Sequence, residues 1–175
     1  MDHLDALAAA GGFAELWRLT QAEAASRDGM KAYMEAALEE QRQGTALPFV
    51  TVDKPTETIV GSTRFGNIDH LNRRVEIGWT WITPAFQRSY VNSEAKYLML
   101  RHAFEVWECV RVELKTNALN STSRDAIRRI GATEEGILRR HMRTQGGRFR
   151  DSVFYSILDT KWPAVCERLT LFMAR

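Results

Sequence analysis

The segment from Pro84 to Asn92 joins a predicted strand to the start of a predicted buried helix. The first turn of a helix exposes unpaired N–H groups and a partial positive charge, so an anion such as a pyrophosphate can bind there. Arg88 before the helix and Lys96 in its predicted first turn add positive charge, although the helix dipole alone disfavours a cation at that end. The pattern equally allows a plain helix start, in which Asn92 or Ser93 is an N-cap and Lys96 is solvated.

The run Arg74–Ile82 alternates, and Glu76 is the only acidic side chain within it. Alternation places Glu76 on one face of a strand with Gly78 and Thr80. The opposite face is predicted to be apolar and to carry Val75, Ile77, Trp79 and Trp81. Because a glycine inside a strand pattern indicates a bulge, we expect this strand to bend and open a cleft beside it.

The elements that would position these residues follow from periodicity and from turn residues. Helices are predicted at Asp2–Ala10, Gly29–Arg42, Ser93–Trp107, Ser121–Ile130 and Trp162–Met173. Strands are predicted at Leu47–Val52, Thr58–Asn67, Arg74–Ile82, Val110–Lys115, Ala132–Arg143 and Arg148–Leu158. This order predicts one α/β domain over residues 1–175, with a mixed sheet whose middle strand–helix–strand crossing is parallel.

The composition is that of an ordinary globular protein: 45% of the 175 residues are hydrophobic and 26% are charged. A net charge of +2 does not by itself favour nucleic acid or an anionic membrane as partner. The chain shows neither an apolar run near the roughly 20 residues of a membrane span nor a signal-peptide pattern, so we expect a cytoplasmic protein. No His/Cys cluster has metal-ligand spacing, and we expect no metal.

Several runs together resemble the GNAT acetyltransferase superfamily, and more narrowly the branch of the ribosomal-protein N-terminal acetyltransferases and related bacterial proteins. The resemblance covers about residues 45–170 in order. It is carried by Glu76–Pro84, Gln87–Lys96, Leu119–Ile127, Ile130–Ala132, Glu135–His141 and Asp151–Leu158.

The resemblance implies a sheet splayed between the family's fourth and fifth strands, which are the third and fourth predicted here, with flanking helices. It also implies transfer of an acetyl group from acetyl-CoA to an amine, by direct attack on the thioester. The cofactor-binding positions that it implies are Trp81, Ile82, Gln87, Arg88, Ser89, Tyr90, Val91, Asn92, Lys96 and Asn120.

The chain departs from the family pattern in two places. The family loop has Gln or Arg, two residues, Gly, one residue, then Gly or Ala, whereas Tyr90 and Asn92 occupy the two small positions here. Small residues let the backbone close on a pyrophosphate, so Tyr90 must point away from the ligand or the cofactor binds less tightly. The family's first strand is also missing before the Asp2–Ala10 helix, which implies either an upstream start or an uncovered sheet edge.

Direct transfer requires a neutral amine, a donor to the oxyanion and a proton for the CoA thiolate. Glu76 is the candidate base, against a structural alternative in which it pairs with Arg73, Arg74 or a neighbouring strand. A backbone N–H near Trp81–Ile82 is the candidate oxyanion donor. Family members place a hydroxyl near Ser123, after an asparagine that contacts pantetheine and corresponds to Asn120. Ser123 is therefore the candidate acid, although hydroxyls at a helix start also serve as caps.

Two other functions remain open at this point. In one, Tyr90 has closed the cofactor loop and the protein is a CoA-binding GNAT fold without catalysis. In the other, less favoured, the basic hairpin around Arg139, Arg140 and Arg148 binds RNA or the ribosome. The acceptor amine is open between protein N-termini and small molecules, and a homodimer is possible because similar proteins often form one.

Overall fold

The computed structural model describes residues 2–173. Its α-helices are α1 (Leu4–Gly11), α2 (Arg27–Arg42), α3 (Val91–Arg101), α4 (Ser121–Arg129) and α5 (Trp162–Met173). Its strands are β1 (Leu47–Asp53), β2 (Thr58–Asp69), β3 (Arg74–Ile82), β4 (Arg111–Asn117), β5 (Thr133–Arg143) and β6 (Phe149–Leu158). The predicted order of helices and strands is confirmed.

The strands form a single six-stranded sheet in the order β1-β2-β3-β4-β6-β5. The β3–β4 pair is parallel, with α3 crossing between the two strands, and the other neighbours are antiparallel. This confirms the predicted mixed α/β sheet with a parallel middle crossing. β1 lies at one edge of the sheet, and β5 lies at the other.

β3 and β4 separate soon after they meet. They pair at three positions, of which the last is Glu76 with Glu113. From there β3 continues along β2 to Ile82, whereas β4 continues along β6 to Asn117. The splay predicted between these strands is therefore present, and its open end lies where both strands end.

A bulge bends β3 next to Gly78, as the glycine in the pattern predicted. Ser62 and Arg64 lie two residues apart on β2. Their partners on β3, Trp81 and Gly78, lie three residues apart. The extra residue is at Trp79, whose φ of 51° is in the left-handed region. Beyond the bulge, the side chains of β3 exchange faces.

This exchange corrects the predicted apolar face of β3. Val75 and Ile77 are buried in the main core with α3 and α5. Trp81 instead packs with Trp17 and Met30, in a separate core beneath α1 and α2. Strict alternation was wrong because one inserted residue moves every later side chain to the opposite face.

Helix α3 differs from its prediction at both ends. It begins at Val91 rather than Ser93, and it ends at Arg101. A π-helical turn then runs over His102–Val106 and is closed by a 3.0 Å bond from Trp107 N to the His102 carbonyl. Apolar periodicity extends through both parts, so it could not distinguish one helix from the other.

The segment between α1 and α2 is attached to the far half of the sheet through its main-chain carbonyls. The Leu19 carbonyl accepts hydrogen bonds from Asn117 (3.4 Å) and Arg150 (3.2 Å). The Ala22 carbonyl accepts from the side chain of Gln145. The α1–α2 segment therefore crosses from β3 to the β5–β6 hairpin. No helix in the described part of the chain combines the length and apolarity that a bilayer crossing demands.

Candidate functional site

The loop after β3 is held by its own side chains. Gln87 Nε2 donates to the Ile82 carbonyl at 2.9 Å, and Ser89 Oγ donates to the Phe86 carbonyl at 2.7 Å. Ser89 Oγ also accepts from Val91 N at 3.3 Å. Arg88 is exposed and has a φ of 59°, so the chain turns sharply at this residue. Gln87 and Ser89 therefore shape the loop, and Arg88 places a cation at its surface.

Tyr90 points away from the splay. Its hydroxyl donates to Asp53 at the end of β1, and both β2 and β3 lie between that strand and β4 on the sheet. This bond raises the pKa of Tyr90, and bonds from Thr56 and then Tyr90 lower the pKa of Asp53. The ring is 44% exposed. The Tyr90 side chain is therefore directed away from the β3–β4 opening, which is the first of the two arrangements considered for this residue.

The N-cap residue of α3, Tyr90, makes no capping bond with its side chain, although Ser89 Oγ bonds the Val91 N–H. Asn92 and Ser93 lie in the first turn rather than at the N-cap, so the simple capping interpretation was wrong. Ser93 Oγ accepts a 3.3 Å bond from Arg129 of α4. Asn92 Oδ1 is buried and finds no partner within residues 2–173. Val91 is buried against Ile82 and Val60, which attaches the helix start to β3.

Lys96 is buried rather than solvated, and it lies in the second turn of α3 rather than the first. Its Nζ donates to Thr80 Oγ1 on β3 at 2.7 Å. Burial lowers the pKa of Lys96 to about 7. The ammonium is therefore directed to the sheet and not to the loop. Arg129, which sequence reasoning missed, supplies a cation beside the first turn instead.

Glu76 is 3% exposed and lies at the closed end of the splay. Its Oε2 accepts bonds from Lys115 Nζ of β4 (2.8 Å) and Asn67 Nδ2 of β2 (2.7 Å). Its Oε1 faces Gly78, where an added Cβ would stand 2.9 Å away. The partner on a neighbouring strand that the structural alternative required is present, and it is Lys115 rather than Arg73 or Arg74.

The main chain at the end of β3 presents a donor to the splay. Thr83 N donates to the Val60 carbonyl of β2 at 2.8 Å. Successive N–H groups along a strand point to opposite sides, so the Ile82 N–H points away from β2 and the Trp81 N–H points toward it. On that open side the Ile82 carbonyl already accepts from Gln87. Of the predicted pair, Ile82 therefore carries the available N–H.

Asn120 and Ser123 lie just after β4, at the same open end of the splay as the loop. Asn120 Oδ1 caps α4 by accepting from Ser123 N at 3.0 Å. This bond uses Oδ1 alone, so Asn120 Nδ2 is left for another contact. The Ser123 hydroxyl is half-buried and makes no hydrogen bond within the described chain. The carboxyl ends of parallel neighbours thus bring both segments to one crevice.

A family model described as "Acetyltransferase (GNAT) domain" matches residues 1–133. This chain belongs to the GNAT acetyltransferase family. It is 33% identical over 105 residues to YdaF of Bacillus subtilis (strain 168), provisionally named a ribosomal N-acetyltransferase, and the match covers 60% of this chain and 56% of YdaF. It is 27% identical over 120 residues to the uncharacterized N-acetyltransferase p20 of Bacillus licheniformis, covering 69% and 66%. The matched region thus spans less than two thirds of either relative.

Solved structures agree with this GNAT assignment. A GCN5-related N-acetyltransferase from Brucella melitensis superposes with a TM-score of 0.90 at 28% identity, covering 98% of this chain and 78% of that one. Mycobacterium smegmatis RimJ, solved in complex with CoA-disulfide, gives 0.82 at 23% identity, covering 97% and 84%. The family and fold predicted from the sequence are confirmed.

The basic hairpin of this GNAT chain is exposed for most of its length. Arg140 and Arg143 stack on Phe149, while Arg150 is half-buried and donates to Leu19. Burial, then the charges of Lys115 and Arg150, lower the pKa of His141. Arg150 is thus held by intramolecular contacts, whereas Arg139, Arg140 and Arg148 are exposed to solvent.

Proposed function

We propose that this chain is an acetyl-CoA-dependent N-acetyltransferase that acts on a protein N-terminus or a small-molecule amine. The observation that carries the proposal is the splay beside a helix start whose N-cap side chain bonds none of the first-turn N–H groups. β3 and β4 part after Glu76, and the first turn of α3 opens at the same end. A diphosphate fits the amide-lined turn, and an extended pantetheine arm fits between strands that no longer bond to each other.

The chain's own residues account for the parts of this cofactor. Arg88 and Arg129 flank the first turn of α3 and would neutralise the diphosphate, which the N–H groups of that turn would bind. Asn120 Nδ2, free of the capping bond, would donate to the pantetheine arm. Tyr90 is kept clear of this path by its bond to Asp53. RimJ shows that a protein of this fold binds a CoA derivative.

Transfer would proceed without a covalent enzyme intermediate. The amine attacks the thioester carbonyl, the Ile82 N–H stabilises the oxyanion, and Glu76 accepts the proton that the amine loses. Because Lys115 and Asn67 occupy Oε2, proton acceptance falls to Oε1, which faces the bulge. The C–S bond then breaks, and the CoA thiolate takes a proton. Ser123 is the candidate donor that the family resemblance supplies.

Acetyl-CoA binding and thiol release test this function in two stages. We expect acetyl-CoA at a hundred times its Kd to stabilise the protein by about 2.7 kcal/mol, because only the native state binds it. Thiol release should then appear with at least one member of a panel of peptide N-termini, polyamines, amino acids and aminoglycosides. No rise in Tm with acetyl-CoA would refute the proposal.

Glu76→Gln tests the base. We expect the rate to fall by about 10²–10⁴-fold and its alkaline rise to flatten, since an amide cannot accept the proton. Arg73→Gln removes an exposed charge next to β3 and is the matched control. An unchanged pH profile in Glu76→Gln would exclude this role for Glu76.

A CoA-binding protein without catalysis is the second candidate. Two observations favour it: bulky side chains at positions 90 and 92, and a Glu76 that is already paired. Saturable acetyl-CoA binding with no thiol release across the whole panel would support this candidate over the enzyme.

A further inference from the structure

Lys96 is a buried ammonium without an acidic partner. It is 6% exposed, and no carboxylate of residues 2–173 forms an ion pair with it. Its ammonium instead donates a 2.7 Å hydrogen bond from Nζ to Thr80 Oγ1. A buried cation is costly unless it is paired, so this arrangement needs a reason that packing does not give.

Thr80 connects this hidden ammonium to the open splay. It lies four residues past Glu76, the last position at which β3 pairs with β4, and its side chain is exposed. Thr80 Oγ1 also lies 2.8 Å from the buried hydroxyl of Thr63. The Thr80 hydroxyl thus lies between the Lys96 ammonium and the space in which we place the proposed pantetheine arm.

We propose that Thr80 donates the proton to the departing CoA sulfur and that Lys96 returns one to Thr80. This rests on the proposed function. As the C–S bond breaks, its electron pair goes to sulfur, the Thr80 O–H proton moves to sulfur, and an N–H proton of Lys96 moves to the Thr80 oxygen. Lys96 is left neutral and regains a proton from solvent after CoA leaves. The products are the amide and CoA thiol.

The surroundings of Lys96 suit such a role. The charges on neighbouring elements face elsewhere: Glu94 of α3 is exposed, Arg129 of α4 reaches Ser93, and Arg64 of β2 pairs with Glu40. Glu76 of β3 and its partner Lys115 of β4 lie on the opposite face of the sheet. Burial alone lowers the pKa of Lys96 to about 7. A pKa near the working pH is what proton transfer requires.

The pKa of the CoA thiol tests the contact between Thr80 and the sulfur, and its measurement needs no acceptor amine. The thiolate of bound CoA absorbs short-wavelength ultraviolet light that the thiol does not, so the pKa of the thiol can be measured in the complex by difference spectra. Because a hydrogen bond from Thr80 stabilises the charged sulfur, we expect the thiol pKa of bound CoA to be lower by about one in the wild type than in Thr80→Val. Thr63→Val, which removes a hydroxyl from the same network but not from the cleft, is the matched control and should leave it unchanged.

Turnover gives the second readout. General acids contribute about 10²–10⁴-fold, and because a thiol is a good leaving group we expect about 10²-fold losses in kcat for Thr80→Val and Lys96→Met. Thr80→Ser should recover most of the rate. Ionisation of the acceptor amine affects the wild type and Lys96→Met equally, so it cancels in the ratio of their rates. This ratio should fall toward one as pH rises through the Lys96 pKa of about 7.

Each contrary result is distinct. An identical thiol pKa in wild type and Thr80→Val overturns the relay even if acetyl transfer is observed. A larger loss in Ser123→Ala than in Thr80→Val assigns the acid to Ser123 and also overturns it. Acetylation of Lys96 by acetyl-CoA alone, detected by mass spectrometry, would make Lys96 a nucleophile instead. Absence of CoA binding by the wild type would refute the proposed function and the relay together.

Discussion

Two lysines, the half-buried Lys115 and the buried Lys96, lie on opposite faces of β3, and their charges are compensated differently. Lys115 reaches Glu76 across the splay at 2.8 Å and also lies over the Trp79 ring. Within residues 2–173 the Lys96 ammonium bonds only a hydroxyl, that of Thr80, and its pKa is lowered to about 7. The face toward α1 and α2 therefore holds a matched ion pair, whereas the face toward α3 holds a cation that burial drives toward neutrality.

This difference gives the two lysines different roles: Lys115 is structural, whereas the protonation of Lys96 can change. The Glu76–Lys115 ion pair joins β3 to β4, so it fixes the geometry of the two strands where they part. A lone buried ammonium can release its proton near neutral pH. We therefore expect mutation of Lys115 to lower the stability of the protein and mutation of Lys96 to raise it.

Lys115→Met should have the largest effect. It leaves the buried Glu76 carboxylate without its cation, and breaking a buried pair in this way typically costs about 3–5 kcal/mol. Urea unfolding would measure the loss, with Lys31→Met on the exposed face of α2 as the control. The double variant Lys115→Met/Glu76→Gln should recover much of the stability. If Lys115→Met unfolds like the wild type, the pair does not hold the splay.

Lys96→Met should act in the opposite direction. Because the native pKa of about 7 is below the unfolded value of 10.5, the unfolded chain binds more protons between these values. The free-energy cost of burying the Lys96 charge is therefore full below pH 7, and it disappears as pH rises toward 10.5. After allowing for the lost bond to Thr80, we expect Lys96→Met to be more stable by about 3 kcal/mol at pH 6.

Unfolding of Lys96→Met and wild type across pH 6–10 checks this sign. The stability difference should shrink steadily as pH rises. A constant difference would mean that Lys96 carries no proton-linked cost, and the contrast between the two faces would disappear.

Asn67→Gly should have the smallest effect. It removes the 2.7 Å bond to Glu76 but leaves Lys115 in place, so we expect a loss of about 1 kcal/mol. The φ of Asn67 is 49°, so glycine keeps the backbone unstrained, whereas Asn67→Ala should cost about 1 kcal/mol more. Equal losses in the two variants would show that the backbone at Asn67 relaxes.

The fold was readable from the sequence because its signals are local. The alternation in β4, the Gly146–Gly147 turn and the Asn120 cap all act within a few residues. The splay itself was predicted from family resemblance, with Gly78 as the only local sign. The faces of β3 beyond Gly78 were not readable, since they depend on the one residue that the bulge inserts at Trp79.

The site was readable only in outline, because its partners are remote. Glu76 was singled out by its place in an apolar strand, but Lys115 lies 39 residues away and looks like any solvent-facing lysine of β4. Lys96 was assigned to the anion site because the start of α3 was placed two residues late. No pattern linked Arg129 to the first turn of α3. Pairing across elements is set by tertiary packing, which spacing along the chain does not encode.

The attachment of the α1–α2 segment has its own consequence. Asn117, Arg150 and Gln145 bind main-chain oxygens of Leu19 and Ala22, and every amino acid has such an oxygen. The side chains at these positions can therefore be exchanged while the segment stays anchored. This stretch of the molecule is free to diversify in sequence without losing its place in the architecture.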